Sequence, residues 1–115
     1  MAKYWDMDGN EIELQEWSRL FASEERKIAS NRIPERAMTV STVWLGLSWL
    51  AEDERGAKPL IFETMAFAED SYDDLGCWRW QSREDAVAGH ERIVGAILGG
   101  SMDLNLDDGY RMGIE

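Results

Sequence analysis

Few residues in this sequence are of a type and in a place to do chemistry. His90 is the single histidine and Cys77 the single cysteine of the 115-residue chain. Glu63 stands within an apolar run, Ile61-Phe62-Glu63-Thr64-Met65. A carboxyl buried in such a run titrates above its ordinary range and can serve as a general acid or base. The competing reading is a strand residue that faces water or pairs with Arg79 on the neighbouring strand. His90 falls on the apolar side of a helical segment, with Gly89 beside it to permit close backbone approach. A Glu63–His90 pair is the one catalytic constellation the chain could build. No activated serine motif accompanies it, and a hydrogen-bonded core histidine is the alternative. Cys77, beside Trp78 in a strand, reads as packed rather than reactive.

No cofactor motif is present. A single cysteine excludes an internal disulfide and a cysteine-based zinc site within one chain. Asp6-Met7-Asp8-Gly9-Asn10 looks like the start of a calcium loop. That loop needs glycine at its sixth position and a bidentate glutamate at its twelfth. Glu11 and Trp17 stand there instead, so a hairpin turn is the better reading.

Charge and aromatic surplus point to binding rather than catalysis. The chain has 23 acidic residues against 12 basic ones, a net charge of -11. Such a field repels nucleic acid and anionic membrane surface. Its ordinary role is solubility, and its sharper one is to meet a basic protein partner. Glu69, Asp70, Asp73 and Asp74 form an acidic loop with no base among them. Asp103, Asp107 and Asp108 make the C-terminal stretch acidic too. Arg19, Arg26, Lys27, Arg32 and Arg36 gather in one segment, so the molecule is expected to be polarised. Six tryptophans are unusual in a chain of this size. Trp78 and Trp80 share a strand face, with Arg79 opposite, and tryptophan with arginine is typical of protein interfaces. The expected partner-binding residues are therefore Glu69, Asp70, Asp73, Asp74, Trp78, Trp80, Asp103, Asp107 and Asp108. Core packing is the alternative for Trp78 and Trp80.

The elements that would position these groups follow from local pattern. Residues 3–13 read as a β-hairpin about Asp8-Gly9. A helix is expected over 13–30, with Leu14, Trp17, Phe21 and Ile28 on one face, ended by Ser30-Asn31 and Pro34. Residues 37–49 are β-branched and aromatic with no breaker before Gly46. Further strands are expected over 60–67 and 77–81, and connections this short make the three an antiparallel meander. A last helix over 83–98 has Ser82 as N-cap and Gly99-Gly100 as its stop. Val87, His90, Val94 and Ile97 would form its buried face, joined by Ala86, Ile93 and Leu98.

The expected class is α+β: an antiparallel sheet of about four or five strands with two helices packed on one face, in the order ββαβββα. Residues 1–100 form one domain and 101–115 an acidic C-terminal tail, which could supply a short extra strand or dock on the domain. No apolar run reaches the roughly 20 residues of a membrane span. The opening residues lack the apolar core of a secretory signal. A cytoplasmic protein is expected.

Val40-Ser41-Thr42-Val43-Trp44-Leu45-Gly46-Leu47, Pro59-Leu60-Ile61-Phe62-Glu63-Thr64-Met65 with Phe67, and Ala88-Gly89-His90 resemble a pattern in small phage and bacterial proteins with no known activity. Tyr4 to Asn10 and Trp17 to Phe21 are similar too, so the resemblance covers most of residues 4–98. It implies that Trp44, Glu63 and His90 form a shared arrangement. The longer acidic loop at 69–75 and the acidic tail depart from it. The expectation is a phage-type accessory protein that binds, and could inhibit, a host nucleic-acid-binding or defence protein in the host cytoplasm. The alternatives are a small enzyme using Glu63 and His90, and a structural subunit or homo-oligomer joined through exposed tryptophans.

Overall fold

In the computed structural model of the chain, which describes residues 3–48, 59–69, 74–100 and 110–112, the first element is the expected hairpin. β1 (Lys3–Trp5) and β2 (Glu11–Ile12) pair antiparallel, Tyr4 opposite Ile12. Gly9 turns the chain with φ +87°, a left-handed conformation that glycine adopts without strain. The Asp6 carboxylate accepts from the backbone N–H groups of Asp8 and Asn10, each at 2.9 Å. That carboxylate is engaged by its own turn rather than turned out toward a cation.

The first helix is shorter than expected. α1 covers Leu14–Phe21, where a helix over 13–30 was anticipated. The Ser23 hydroxyl donates to the Leu20 carbonyl at 2.7 Å and closes the last turn. A 3-10 turn at Glu24–Arg26 leads into β3 (Lys27–Ile33). Ile28 fits a helical stripe and a strand equally well, so local spacing could not separate them. Pairing decides: β3 runs antiparallel to β4 from Lys27 opposite Val43 to Ile33 opposite Met38, with an irregularity at Lys27/Ala29.

β4 (Met38–Trp44) is the centre of the fold, and its burial alternates strictly. Met38, Val40, Thr42 and Trp44 face inward, as a period of two requires. At Leu45-Gly46 the chain leaves the sheet. Both N–H groups donate to the Ile61 carbonyl, at 2.8 and 3.2 Å, and Gly46 has φ +64°. β5 (Leu47–Ser48) then pairs with β1. β6 (Phe62–Ala68) and β7 (Asp74–Trp80) return to the main sheet, and β8 (Tyr110–Met112) pairs with β7. The main sheet has the order β3-β4-β6-β7-β8, and the small one β2-β1-β5. The α+β class and the antiparallel meander are as the sequence indicated. The extra strand within residues 101–115 is β8.

α2 (Arg83–Leu98) begins as its signals dictate: Ser82 Oγ accepts from the Asp85 N–H at 3.0 Å. It packs on β3, β4, β6 and β7. Its buried residues are Ala86, Gly89, His90, Ile93 and Ile97, while Val87 and Leu98 are exposed. The helix is thus rotated from the expected stripe. The reason is Trp80: a Cβ on Gly89 would lie 2.2 Å from its ring, so only glycine's side of the helix can approach there.

The same device recurs. Trp44 closes on Gly46, and Trp78 on Gly76, where a Cβ would come within 2.1 and 2.3 Å of the rings. Each of these tryptophans has no exposed surface. Burying about 150–250 Å² apiece at roughly 25 cal/mol/Å², each contributes on the order of 4–6 kcal/mol of apolar transfer. These rings, with Phe62, Ile61, Val40 and Ile93, belong to one buried core cluster.

Candidate functional site

The main sheet separates two polar constellations. On the α2 side, Thr42, Thr64 and His90 are buried among the aromatics. His90 Nδ1 lies 2.7 Å from Thr42 Oγ1, and Thr42 Oγ1 lies 2.6 Å from Thr64 Oγ1. Trp80 Nε1–H donates to Thr64 Oγ1 at 2.9 Å, and His90 Nε2 lies 2.7 Å from Asn31 Oδ1. Strands β3, β4, β6 and β7 and helix α2 each contribute one member. Burial holds the His90 pKa below its ordinary value, against the smaller opposing pull of Glu91.

On the other side, Arg79 Nε donates to Glu63 Oε2 at 2.9 Å, and Cys77 Sγ lies 3.4 Å from the same oxygen. Register explains the pairing, since Glu63 stands directly opposite Arg79. It also separates Glu63 from His90. Thr64 faces Thr42 and α2, so its chain neighbour Glu63 must face the opposite side. The expected Glu63–His90 constellation therefore does not form. Glu63 is the ion-paired strand residue, and His90 is the hydrogen-bonded core histidine. Trp44 lies on the His90 side, again apart from Glu63.

Trp44 differs from Trp80 in one respect. Its buried Nε1–H has no hydrogen-bond partner. An orphaned buried donor costs about 1–3 kcal/mol. Apolar burial of the ring exceeds that, which is why the residue stays inside.

The expected partner-binding residues are redistributed. Trp78 and Trp80 are wholly buried and present no surface to a partner. Glu69 is bidentate with Arg32, with Nη2–Oε1 at 3.2 Å, an exposed pair joining β3 to the end of β6. Asp74 begins β7. Asp70, Asp73, Asp103, Asp107 and Asp108 lie outside the described residues. The basic stretch is largely neutralised: Arg19 pairs with Glu16, Lys27 with Glu24 and Arg32 with Glu69, while Arg26 sits over the Phe21 ring.

Acidic groups missed in the sequence converge at one end of the fold. The Asp6–Asn10 turn lies between the first turn of α2 and helix α1, with a groove on each side. One, of about 360 Å³, has Met7, Pro59 and Ile61 as its apolar part and Asp8, Glu84 and Asp85 as its acidic part. The other, of about 400 Å³, is lined by Asp6, Asp8, Glu16 and Glu25, with Leu20, Lys27 and Arg83. Carboxylates from four separate stretches of sequence meet there, which no local motif announces. Glu84 and Asp85 are also favoured by the positive end of the α2 dipole.

Among the described residues, no group of three or more histidine, cysteine or acidic side chains is placed to hold a metal ion. No described helix is long and apolar enough to cross a membrane. Comparison of the chain with family models, curated proteins and solved structures finds no match.

Proposed function

We propose that this chain is a small acidic accessory protein that acts by binding another protein through a basic segment of that partner. The observation that carries the reading is the pair of grooves about the Asp6–Asn10 turn. A groove lined by apolar Met7, Pro59 and Ile61 together with the carboxylates of Asp8, Glu84 and Asp85 suits a lysine or arginine. The aliphatic stem of such a side chain can pack on apolar lining while its charge meets the carboxylates. Four described ion pairs each consume one acid and one base, so internal pairing leaves the net charge of -11 intact. That charge steers a basic partner toward the site.

The phage-type element of this reading rests on the resemblance in the Val40–Leu47, Pro59–Phe67 and Ala88–His90 stretches. A nucleic-acid-binding or defence protein of the host is the corresponding target class, because such proteins expose basic segments. The enzyme alternative loses its constellation with Glu63 and His90 on opposite faces. For the oligomer alternative, which rests on exposed tryptophans, Trp78 and Trp80 supply no contact because both are buried.

The test is affinity capture from host lysate at low and at physiological salt, with wild type and an Asp8→Asn/Glu84→Gln variant side by side. A basic protein retained by the wild type and lost with the variant supports the proposal. Equal retention by both would show that these grooves are not the binding site.

A further inference from the structure

His90 is 3% exposed and joins α2 to the sheet through both ring nitrogens. An amide oxygen only accepts, so with Asn31 Oδ1 facing the ring, Nε2 carries a hydrogen. The neutral ring then has a bare Nδ1, which accepts from the Thr42 hydroxyl. Having given its hydrogen to His90, Thr42 accepts from Thr64. Thr64 accepts from the Trp80 indole N–H, which can only donate. One hydrogen fills each of the four bonds, and all point from β7 toward β3.

We infer that this one-way chain from Trp80 to Asn31 is an acid-sensitive latch that holds α2 on the sheet through a neutral His90. The inference does not depend on the proposed function.

A proton on Nδ1 makes that nitrogen a donor aimed at Thr42. The Thr42 hydroxyl must then swing its hydrogen to Thr64. Thr64 receives donors from both Trp80 and Thr42, and its own hydrogen loses its acceptor. The new cation would sit in the core beside neutral groups, a costly arrangement.

Charged groups on the surrounding elements do not offset this. On β3, Arg32 pairs with Glu69, and the register sets Arg32 on the side opposite Asn31. Lys27, at the far start of that strand, pairs with Glu24. On β6 and β7, Glu63 and Arg79 pair with each other across the sheet from His90. β4 has no charged residue. Glu35 and Arg36 are exposed in the turn near the other end of α2, where Arg36 approaches Gly100. Glu91, next to His90, favours the proton, but burial outweighs it.

The sign follows. The unfolded chain carries a histidine of pKa about 6.5. The folded pKa is lower, so the unfolded state binds more protons as the medium is acidified. The contribution of His90 to stability is complete above the unfolded pKa and is lost as pH falls through it toward the folded one.

Three measurements test the latch. Long-range ¹H–¹⁵N correlation at about pH 7.5 should show the neutral Nε2–H tautomer. Urea unfolding at about pH 7.5 and pH 5 should give an unfolding constant that rises more in wild type than in His90→Gln, by at most roughly 30-fold. The carboxylates are common to both proteins, so the difference isolates the ring. Asn31→Asp, a change at an exposed edge position, sets a carboxylate against Nε2 and should remove most of that excess. If His90→Gln does not fold, wild type against Asn31→Asp provides the comparison. At acid pH, amide protection should fall in α2 before β4 and β6. An Nδ1–H tautomer, a charged ring at pH 7.5, equal acid dependence in the proteins compared, or simultaneous loss of protection in helix and sheet would each overturn the inference.

Discussion

The ring of Trp80 rests directly on the backbone of Gly89, where a Cβ would fall 2.2 Å from the ring carbon Cη2. This contact sets how closely α2 approaches the sheet and which helical stripe is buried. Gly89→Ala should therefore destabilise the fold by about 1–3 kcal/mol through overpacking. Gly95, one helical stretch further on, has nothing within 4 Å of its Cβ direction. Gly95→Ala should stabilise by about 0.5–1 kcal/mol, because alanine costs less backbone entropy in a helix. Urea unfolding of the two variants measures both signs.

Two buried tryptophans should respond differently to the same change. Trp80 Nε1–H donates to Thr64, whereas Trp44 Nε1–H has no partner. Trp80→Phe loses a hydrogen bond, and Trp44→Phe removes an orphaned donor. With equal loss of ring volume, Trp80→Phe should be the costlier by about 2 kcal/mol. Equal losses in denaturant unfolding would contradict the assigned partners.

Thr64→Val nearly preserves shape but deletes the centre of the polar chain. Trp80 Nε1–H is left without an acceptor and Thr42 without its donor. The expected cost is about 1–3 kcal/mol. The Nε1–H resonance of Trp80 should also move, a signature that loss of packing alone would not produce.

Glu63→Gln acts on the other face. It removes the charge opposite Arg79 while keeping an acceptor for its Nε–H. The ring resonances of His90 and its titration should be unchanged, because the sheet lies between the two residues. A shift in either would mean that the faces communicate.

Much of the framework was legible locally. Ser82 and Gly99-Gly100 bound α2 because caps satisfy backbone groups within a few residues. Strict alternation announced β4, and Asp8-Gly9 announced the hairpin. β3 was not legible. Its residues fit a helical stripe, and only the ladder to β4 makes them a strand. The burial of Trp80 was not legible for a related reason: the glycine beneath its ring, Gly89, comes from a different element.

The candidate site divides along the same line. Pairing of Glu63 with Arg79 was one reading the sequence offered, and the register of β6 on β7 decides for it. The clustering of Asp8, Glu16, Glu84 and Asp85 could not be read in the sequence, since it joins distant stretches of chain. Likewise the basic segment at 19–36 looked like a pole until its ion pairs were in place.

The sequence by itself determined the α+β class, the meander, the capped second helix and a charge of -11. These depend on periodicity, turn chemistry and composition, which act over a few residues or over none. Only the tertiary structure decided that Glu63 and His90 are parted by the sheet. Only it decided that His90 closes a hydrogen-bonded chain across four strands. Side-chain bonds between elements form where backbones meet, and for α2 on the sheet that meeting is set by the packing of Trp80 on Gly89.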